Sequence, residues 1–288
     1  MTRRDFIISL FGPAALLSVD KIKLLSKSQI VEDTNTAKIF SKIISRASKQ
    51  KWYSMDINDL ISRIAVEFVG TSYVGGTLDR NPEKEEVVIN LEELDCVTFM
   101  ENSLCIARCI KKQHFRFNDL IDEILYTRYR DGKLNDDTSR LHYTTDWIDN
   151  NIKKGVIDDI TESLGGIKHK FELNFMSSHS NFYPALNSHK EYISKIKEIE
   201  NKLNKKTVFI IKKADIKSIS KKLKDGDIIA IATSAEGLDY SHVGLMFNGK
   251  LLHASSNKKK VVIDKPLYNY LSCNKKAIGI TVLRPKII

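Results

Sequence analysis

Three residues of this chain have the types and predicted positions needed for thiol catalysis. They are Cys96 and a pair of histidines, His242 and His253, which stand eleven residues apart in the stretch YSHVGLMFNGKLLHASS. The apolar pattern from Val97 onward predicts a helix with Cys96 at its N-terminus. A helix N-terminus and a nearby imidazole both stabilise a thiolate, and together they can lower a thiol pKa to about 3.5–7.5. We therefore expect Cys96 to be a nucleophile, His242 its general base and His253 the group that orients His242.

The two histidines must come from neighbouring strands for this chemistry. Asn248-Gly249 between alternating apolar residues is a strong signal for a two-residue hairpin turn. The resulting register makes His242 and His253 diagonal neighbours on one face, about 5–8 Å apart at Cβ. Gly244 lies opposite His253 and has no side chain to block the pair. The alternative is two unrelated strand histidines.

The N-terminal residues resemble an export signal. Thr2-Arg3-Arg4-Asp5-Phe6-Ile7 is similar to a twin-arginine motif, and an apolar stretch interrupted by Gly12-Pro13 follows it. We expect a signal over 1–25, a polar linker to about 35, and a protein exported to the periplasm or cell envelope without stable membrane insertion. An uncleaved anchor or a buried N-terminal helix is the alternative.

Charge and cysteine content exclude several classes of function. The net charge of +10 comes from dispersed lysines without a nucleic-acid-binding motif, so we expect no nucleic-acid partner. Four cysteines in 288 residues do not form a disulfide framework. Cys105, Cys109 and His114 have a loose metal-ligand spacing, but they fall on or just after an apolar helix. We expect no metal and no organic cofactor.

Hydrophobic periodicity predicts an α+β fold. Helical patterns cover 37–50, 57–70, the segment after Val97, 118–130 and 189–204, and the strand patterns, 207–211, 227–233, 242–247, 250–256, 260–264 and 277–285, follow in the last third. We expect one catalytic domain over 36–288, with a long helical and loop insertion at about 113–205.

Four segments together resemble the NlpC/p60 superfamily of cysteine hydrolases, which cut bacterial cell-wall peptides. They are FVGTSYVGGTLD, LDCVTFMENSL, DGDIIAI and SHVGLMFNGKLLHAS, in that order. The resemblance implies a papain-like fold in which a helix carrying Cys96 packs on an antiparallel sheet. It also implies that Tyr73 lies near the nucleophile, where its hydroxyl and the Cys96 N–H would stabilise an oxyanion. Ser241 is a further candidate for contact with the oxyanion or the substrate.

Two further segments, SRLHYTTDWIDNN and NFMSSHSNFYPAL, are similar to the N-acetylmuramoyl-L-alanine amidase-like branch, once known as domain of unknown function 1460. The branch implies hydrolysis of the amide between the lactyl group of N-acetylmuramic acid and L-alanine in muropeptides. Arg140 could then bind a substrate carboxylate, and Tyr143 and Trp147 could stack on a sugar. Equally, Arg140 could be an ion-pair partner, and the two aromatic residues could anchor a long loop.

The sequence also departs from the common superfamily pattern. Val97-Thr98 stands where many relatives have Ser-Gly, and about 146 residues separate Cys96 from His242. These departures argue against the usual endopeptidase specificity of the superfamily. That specificity, a cut between D-glutamate and the diamino acid of the stem peptide, is the alternative function. A binding module without catalysis would not need the full Cys-His-His set, and permuted acyltransferases have the histidine before the cysteine. We expect a monomer whose partners are peptidoglycan fragments.

Overall fold

The predicted α+β class is confirmed by a computed structural model, which describes residues 30–32 and 35–286. The predicted export signal lies outside these residues. Within the described part of the chain, no helix is long and apolar enough to cross a membrane.

The helices are α1 (Thr36–Lys49), α2 (Ile57–Glu67), α3 (Cys96–Lys111), α4 (Phe117–Arg128), α5 (Thr144–Lys153), α6 (Phe175–Ser178), α7 (Pro184–Ser188), α8 (Glu191–Leu203), α9 (Ile216–Ile219) and α10 (Leu267–Ser272). The strands are β1 (Ile30–Glu32), β2 (Ser72–Tyr73), β3 (Val87–Ile89), β4 (Glu93–Leu94), β5 (Ile157–Asp159), β6 (Ile167–His169), β7 (Val208–Lys212), β8 (Ile228–Thr233), β9 (Tyr240–Phe247), β10 (Lys250–Ser255), β11 (Lys260–Pro266) and β12 (Ala277–Pro285).

One large sheet organises the described residues. Its strand order is β4-β2-β11-β10-β9-β8-β12-β7-β6, with β5 paired to β12. The pairs are antiparallel except for β2 with β4. A separate parallel pair joins β1 to β3, so the described part of the predicted linker is a strand. In addition to helices and loops, residues 113–205, where we predict the insertion, supply β5 and β6 to the main sheet.

Helix α3 begins at Cys96 because two reciprocal hydrogen bonds between Asp95 and Thr98 form a capping box at its first turn. The Asp95 carboxylate accepts a hydrogen bond from the Thr98 N–H at 2.7 Å, and the Thr98 hydroxyl accepts one from the Asp95 N–H at 2.9 Å. The helix then runs through the core, packed against α2, α4, β9 and β10. Burial from Thr98 to Ile110 holds the Cys96 end in a fixed position relative to β9.

The hairpin of β9 and β10 has the predicted register. Leu251 pairs with Met246 and Leu252 with Leu245, and the turn residues Asn248 and Gly249 both have positive φ, at 48° and 70°. A Cβ on Gly244 would lie 3.0 Å from the Cβ of His253, so a larger residue there would displace the histidine. The predicted space beside His253 therefore depends on glycine.

The sheet separates two buried apolar clusters. The larger contains the buried residues of α1 to α4 together with Val243, Leu245 and Leu252. The smaller lies around α9 and α10 and includes Met246 and Leu251, from the histidine-bearing face of the hairpin. Both faces of this hairpin are thus covered, which restricts the movement of the two histidine-bearing strands.

Candidate active site

Cys96 and His242 line the same cleft. The cleft has a volume of about 190 Å³, and its walls come from the start of α3, the region around α5, the α6–α7 segment and the start of β9. Ser241 and Tyr143 also line it. Ser241 is an extra residue where the register between β8 and β9 shifts, and such bulges often occur next to active sites. Four of the eight predicted site residues therefore share one cleft.

His253 lies directly behind His242. His242 Nε2 and His253 Nδ1 are 2.6 Å apart, and the two rings meet edge to face with centroids 4.7 Å apart. His253 is 1% exposed, so it contacts protein groups instead of solvent. The hydrogen bond uses Nε2 of His242, which leaves Nδ1 as the nitrogen available to a thiol or substrate.

Asp264 continues this chain on the third strand, β11. Its Oδ2 lies 3.4 Å from His253 Nε2, and its Oδ1 is 2.9 Å from Lys258 Nζ. Burial opposes ionisation, but Lys258 and His253 keep the pKa of Asp264 below its usual range. An ionised carboxylate only accepts hydrogen bonds, so the His253 Nε2–H must be the donor. His253 Nδ1 then accepts, His242 Nε2–H donates, and His242 Nδ1 keeps its lone pair as a base.

The ring of Tyr270 covers the histidine pair. Its centroid is 5.1 Å from that of His253, edge to face, and 6.2 Å from that of His242, nearly parallel. Burial raises the pKa of Tyr270 to about 12, with smaller contributions from Asp264 and Cys96. Tyr270 therefore packs against both histidines of the candidate site.

The surroundings of Cys96 and His242 favour the neutral forms of both groups. Burial, with a smaller effect of Asp95, raises the pKa of Cys96 to about 12, although backbone amides that include that of Val243 oppose the shift. Burial and the neighbouring His253 lower the pKa of His242 to about 3. The prediction of a lowered thiol pKa is therefore wrong for this geometry, because desolvation outweighs the helix N-terminus. If Cys96 is the nucleophile, its proton would have to move to His242 when the sulfur attacks.

Tyr73 lies near the nucleophile. Burial raises its pKa, and the adjacent charges of Cys96 and Asp95 raise it further. Its N–H is bonded to the Lys259 carbonyl at 2.9 Å, which fixes β2 against the loop that precedes β11. In the pairing of β2 with β4, Tyr73 lies opposite Leu94, two residues before Cys96.

Arg140 is buried outside the cleft lining. Its guanidinium contacts Asp79 and Asp137 at 2.7 Å and Glu85 at 3.3 Å. With three carboxylates around it, Arg140 has its ion-pairing capacity satisfied within the protein. These contacts favour the ion-pair alternative to substrate binding.

Trp147 and Tyr143 are also buried, at 3% and 4% exposure. Trp147 Nε1 donates to Glu101 at 2.9 Å, and the Tyr143 hydroxyl donates to Glu200 at 2.8 Å. Only the Tyr143 ring reaches the cleft. Their contacts favour the role of loop anchors over that of sugar platforms.

Sequence reasoning missed His142, Asp264 and Tyr270. His142 lines the cleft, and its Nε2 lies 2.9 Å from the Asp137 carbonyl. Although burial lowers the pKa of His142, the Asp137 carboxylate raises it overall. A signal for Asp264 was present, because strand alternation places it on the same face as Val262, which pairs with His253. No comparable signal marks Tyr270, which sits on a six-residue helix.

The buried cysteines do not belong to this site. Cys105 and Cys109 are fully buried in α3, and all four cysteines are free. Over residues 30–32 and 35–286, no group of three or more His, Cys, Asp or Glu side chains is arranged to hold a metal ion.

The chain belongs to the N-acetylmuramoyl-L-alanine amidase-like (AmiA-like) family, whose model matches residues 63–280. A crystal structure of an N-acetylmuramoyl-L-alanine amidase from Bacteroides uniformis ATCC 8492 is 37% identical, covers 80% of this chain and 99% of its own, and has a TM-score of 0.76. A second crystal structure of that amidase gives the same values. A Legionella pneumophila protein of the DUF1460 family, 21% identical over 88% of this chain and 95% of its own with a TM-score of 0.66, shares the fold. No curated protein matches the chain.

The buried ion cluster at Arg140 leads to a stability prediction. We expect Arg140→Met to lower the free energy of unfolding by about 3–5 kcal/mol, because it leaves buried carboxylates without their counterion. Urea denaturation measures the change. The control is Arg116→Met, which removes an ion pair whose arginine side chain is 83% exposed and should leave the midpoint nearly unchanged. An Arg140→Met protein as stable as the wild type would contradict a structural role for Arg140.

Proposed function

We propose that this protein is a cell-wall amidase that cleaves the bond between the lactyl group of N-acetylmuramic acid and L-alanine in muropeptides, with Cys96 as nucleophile. Its membership of the amidase-like family supports the substrate class. The observation that carries the mechanism is the cleft shared by Cys96 and His242, with His253 bonded behind His242 at 2.6 Å. Cysteine before histidine, helix before strand, is the papain-like order, and this supports placement in the NlpC/p60 superfamily.

The first half of the reaction forms an acyl-enzyme. Cys96 Sγ attacks the lactyl carbonyl carbon while its proton passes to Nδ1 of His242. The N–H groups of the first turn of α3 have no intrahelical acceptors, so that of Cys96 can stabilise the oxyanion together with the Tyr73 hydroxyl. His242 then gives its proton to the alanine nitrogen, the C–N bond breaks, and the peptide leaves.

The second half restores the enzyme. A water molecule loses a proton to His242 Nδ1 and attacks the thioester carbonyl. The C–S bond then breaks, the sulfur regains its proton from His242, and the lactyl carboxylate is released. Because His242 is neutral at neutral pH, it can act as the base at the start of each half-reaction.

The site of action that we propose is the cell envelope. The twin-arginine-like start of the sequence and the substrate class both support export.

Product analysis tests the reaction and the nucleophile together. With a defined mixture of muropeptides, we expect mass spectrometry to find peptide-free sugar and a free peptide that begins with L-alanine. Cys96→Ala should reduce this release by at least about a thousandfold, because no other group supplies the sulfur nucleophile. Cys273→Ala, which removes an exposed thiol, is the matched control and should retain activity. Sugar that keeps a dipeptide would instead identify the endopeptidase, and full activity of Cys96→Ala would refute the mechanism.

The role of Asp264 is tested by Asp264→Asn. The amide can donate to His253 Nε2 and so favour the wrong tautomer of both histidines, and we expect kcat/KM for the muramoyl amide to fall about 10- to 100-fold. Lys258→Ala removes only the exposed partner of Asp264 and should cost no more than about fivefold. Circular dichroism checks that both variants fold. An unimpaired Asp264→Asn enzyme would show that the tautomers do not depend on this carboxylate.

A further inference from the structure

We propose that Phe175, His179 and Phe182 form an aromatic platform that binds the sugar ring of the substrate beside the cleft. This inference rests on the proposed function, because it assigns a place to the N-acetylmuramic acid part of the muropeptide. None of the three residues belongs to the cleft lining or to the Cys-His-His set.

The three rings form one compact aromatic cluster in which His179 is nearly parallel to each phenylalanine ring. The centroids of Phe175 and His179 are 4.4 Å apart with an interplanar angle of 20°, and those of His179 and Phe182 are 5.7 Å apart at 19°. The Phe175 and Phe182 rings are 6.4 Å apart and tilted by 39°. His179 Nδ1 also lies 3.1 Å from the Phe175 carbonyl oxygen, which holds its ring in place. The platform is therefore preorganised, because its rings are already arranged before a ligand binds.

The aromatic platform is open to solvent. Phe182 is 65% exposed, the highest value among the large exposed apolar residues of the described chain, and His179 is exposed beside it. An ordered aromatic surface of this kind is a usual sign of a binding site. A ligand bound here must cover this apolar surface, and burial of the surface would stabilise the complex.

The platform adjoins the candidate active site. Met176, next to Phe175, and Tyr183, next to Phe182, both line the cleft. The Phe175 N–H donates to the Gly237 carbonyl at 3.2 Å, so the platform is tied to the loop that leads into β9 and His242. Gly237 has a φ of 74°, and a Cβ there would lie 2.4 Å from Asn174 Oδ1, so this junction requires glycine.

The small volume of the cleft indicates which part of the substrate is left for the platform to bind. A volume of about 190 Å³ is below the roughly 300–1,000 Å³ of pockets that enclose small ligands, so much of a muropeptide must lie outside it. A pyranose ring has a flat C–H face, which packs on aromatic rings, and hydroxyl groups around its edge. Ser178, Ser180 and Asn181 adjoin the ring-bearing residues in the sequence and could supply polar groups for those hydroxyls. This combination of apolar face and polar edge favours a sugar over an apolar peptide segment.

Two substrates with the same scissile amide separate sugar recognition from catalysis. One is N-acetylmuramoyl-L-alanyl-D-isoglutamine, and the other is lactoyl-L-alanyl-D-isoglutamine, which lacks the sugar ring. We expect Phe182→Ala to raise KM for the muramoyl substrate about three- to tenfold and to leave kcat/KM for the lactoyl substrate unchanged. Phe115→Ala, another exposed phenylalanine outside the cleft, should change neither value. Equal effects of Phe182→Ala on both substrates, or no effect on either, would overturn the platform.

A binding measurement keeps the inference independent of turnover. In saturation-transfer NMR with the Cys96→Ala protein and N-acetylmuramic acid alone, we expect saturation of the pyranose C–H protons that is lost in Cys96→Ala/Phe182→Ala. No saturation, or saturation that survives the second substitution, would overturn the platform even if the wild type cleaves muropeptides. Sugar binding that requires Phe182, in a protein that cleaves no muramoyl amide, would instead refute only the proposed function.

Discussion

The hydrogen bond between His242 and His253 is the interaction on which the candidate site depends. It exists because an Asn-Gly turn sets the register of two strands, and because Gly244 leaves room for His253. Apolar packing on both faces of the hairpin holds that register. A shift by one residue would turn the imidazoles to the opposite face, into the apolar core that contains Val243, Leu245 and Leu252.

The same hydrogen bond decides which nitrogen of His242 can accept a proton. Asp264 and His253 hold Nε2 of His242 as a donor, so Nδ1 is left with its lone pair. Burial keeps the Cys96 thiol protonated and His242 neutral, so no ion pair has to be maintained before substrate arrives. Proton transfer then accompanies attack, when first-turn N–H groups and Tyr73 can stabilise the developing negative charge. In the proposed mechanism, the helix N-terminus would thus stabilise the transition state more than the resting thiolate.

Local rules predicted the hairpin, the start of α3 and the order of helices and strands, because turn residues and periodicity act over short distances. The partners of side chains could not be predicted in this way. Trp147 finds its acceptor, Glu101, 46 residues upstream. Arg140, Tyr143 and Trp147 had plausible substrate roles in the sequence, but burial against distant carboxylates favours structural roles. No periodic pattern in the sequence indicated the exposed aromatic platform of Phe175, His179 and Phe182.

The ring nitrogens of His242 and His253 give the most direct test of the central claim. Nitrogen-15 NMR of histidine-labelled protein between pH 5 and 8 reports the protonation state and tautomer of each ring. The account predicts that both rings stay neutral and carry their proton on Nε2, with Nδ1 of His242 unprotonated. A His242 ring protonated on Nδ1, or an imidazolium at neutral pH, would contradict it.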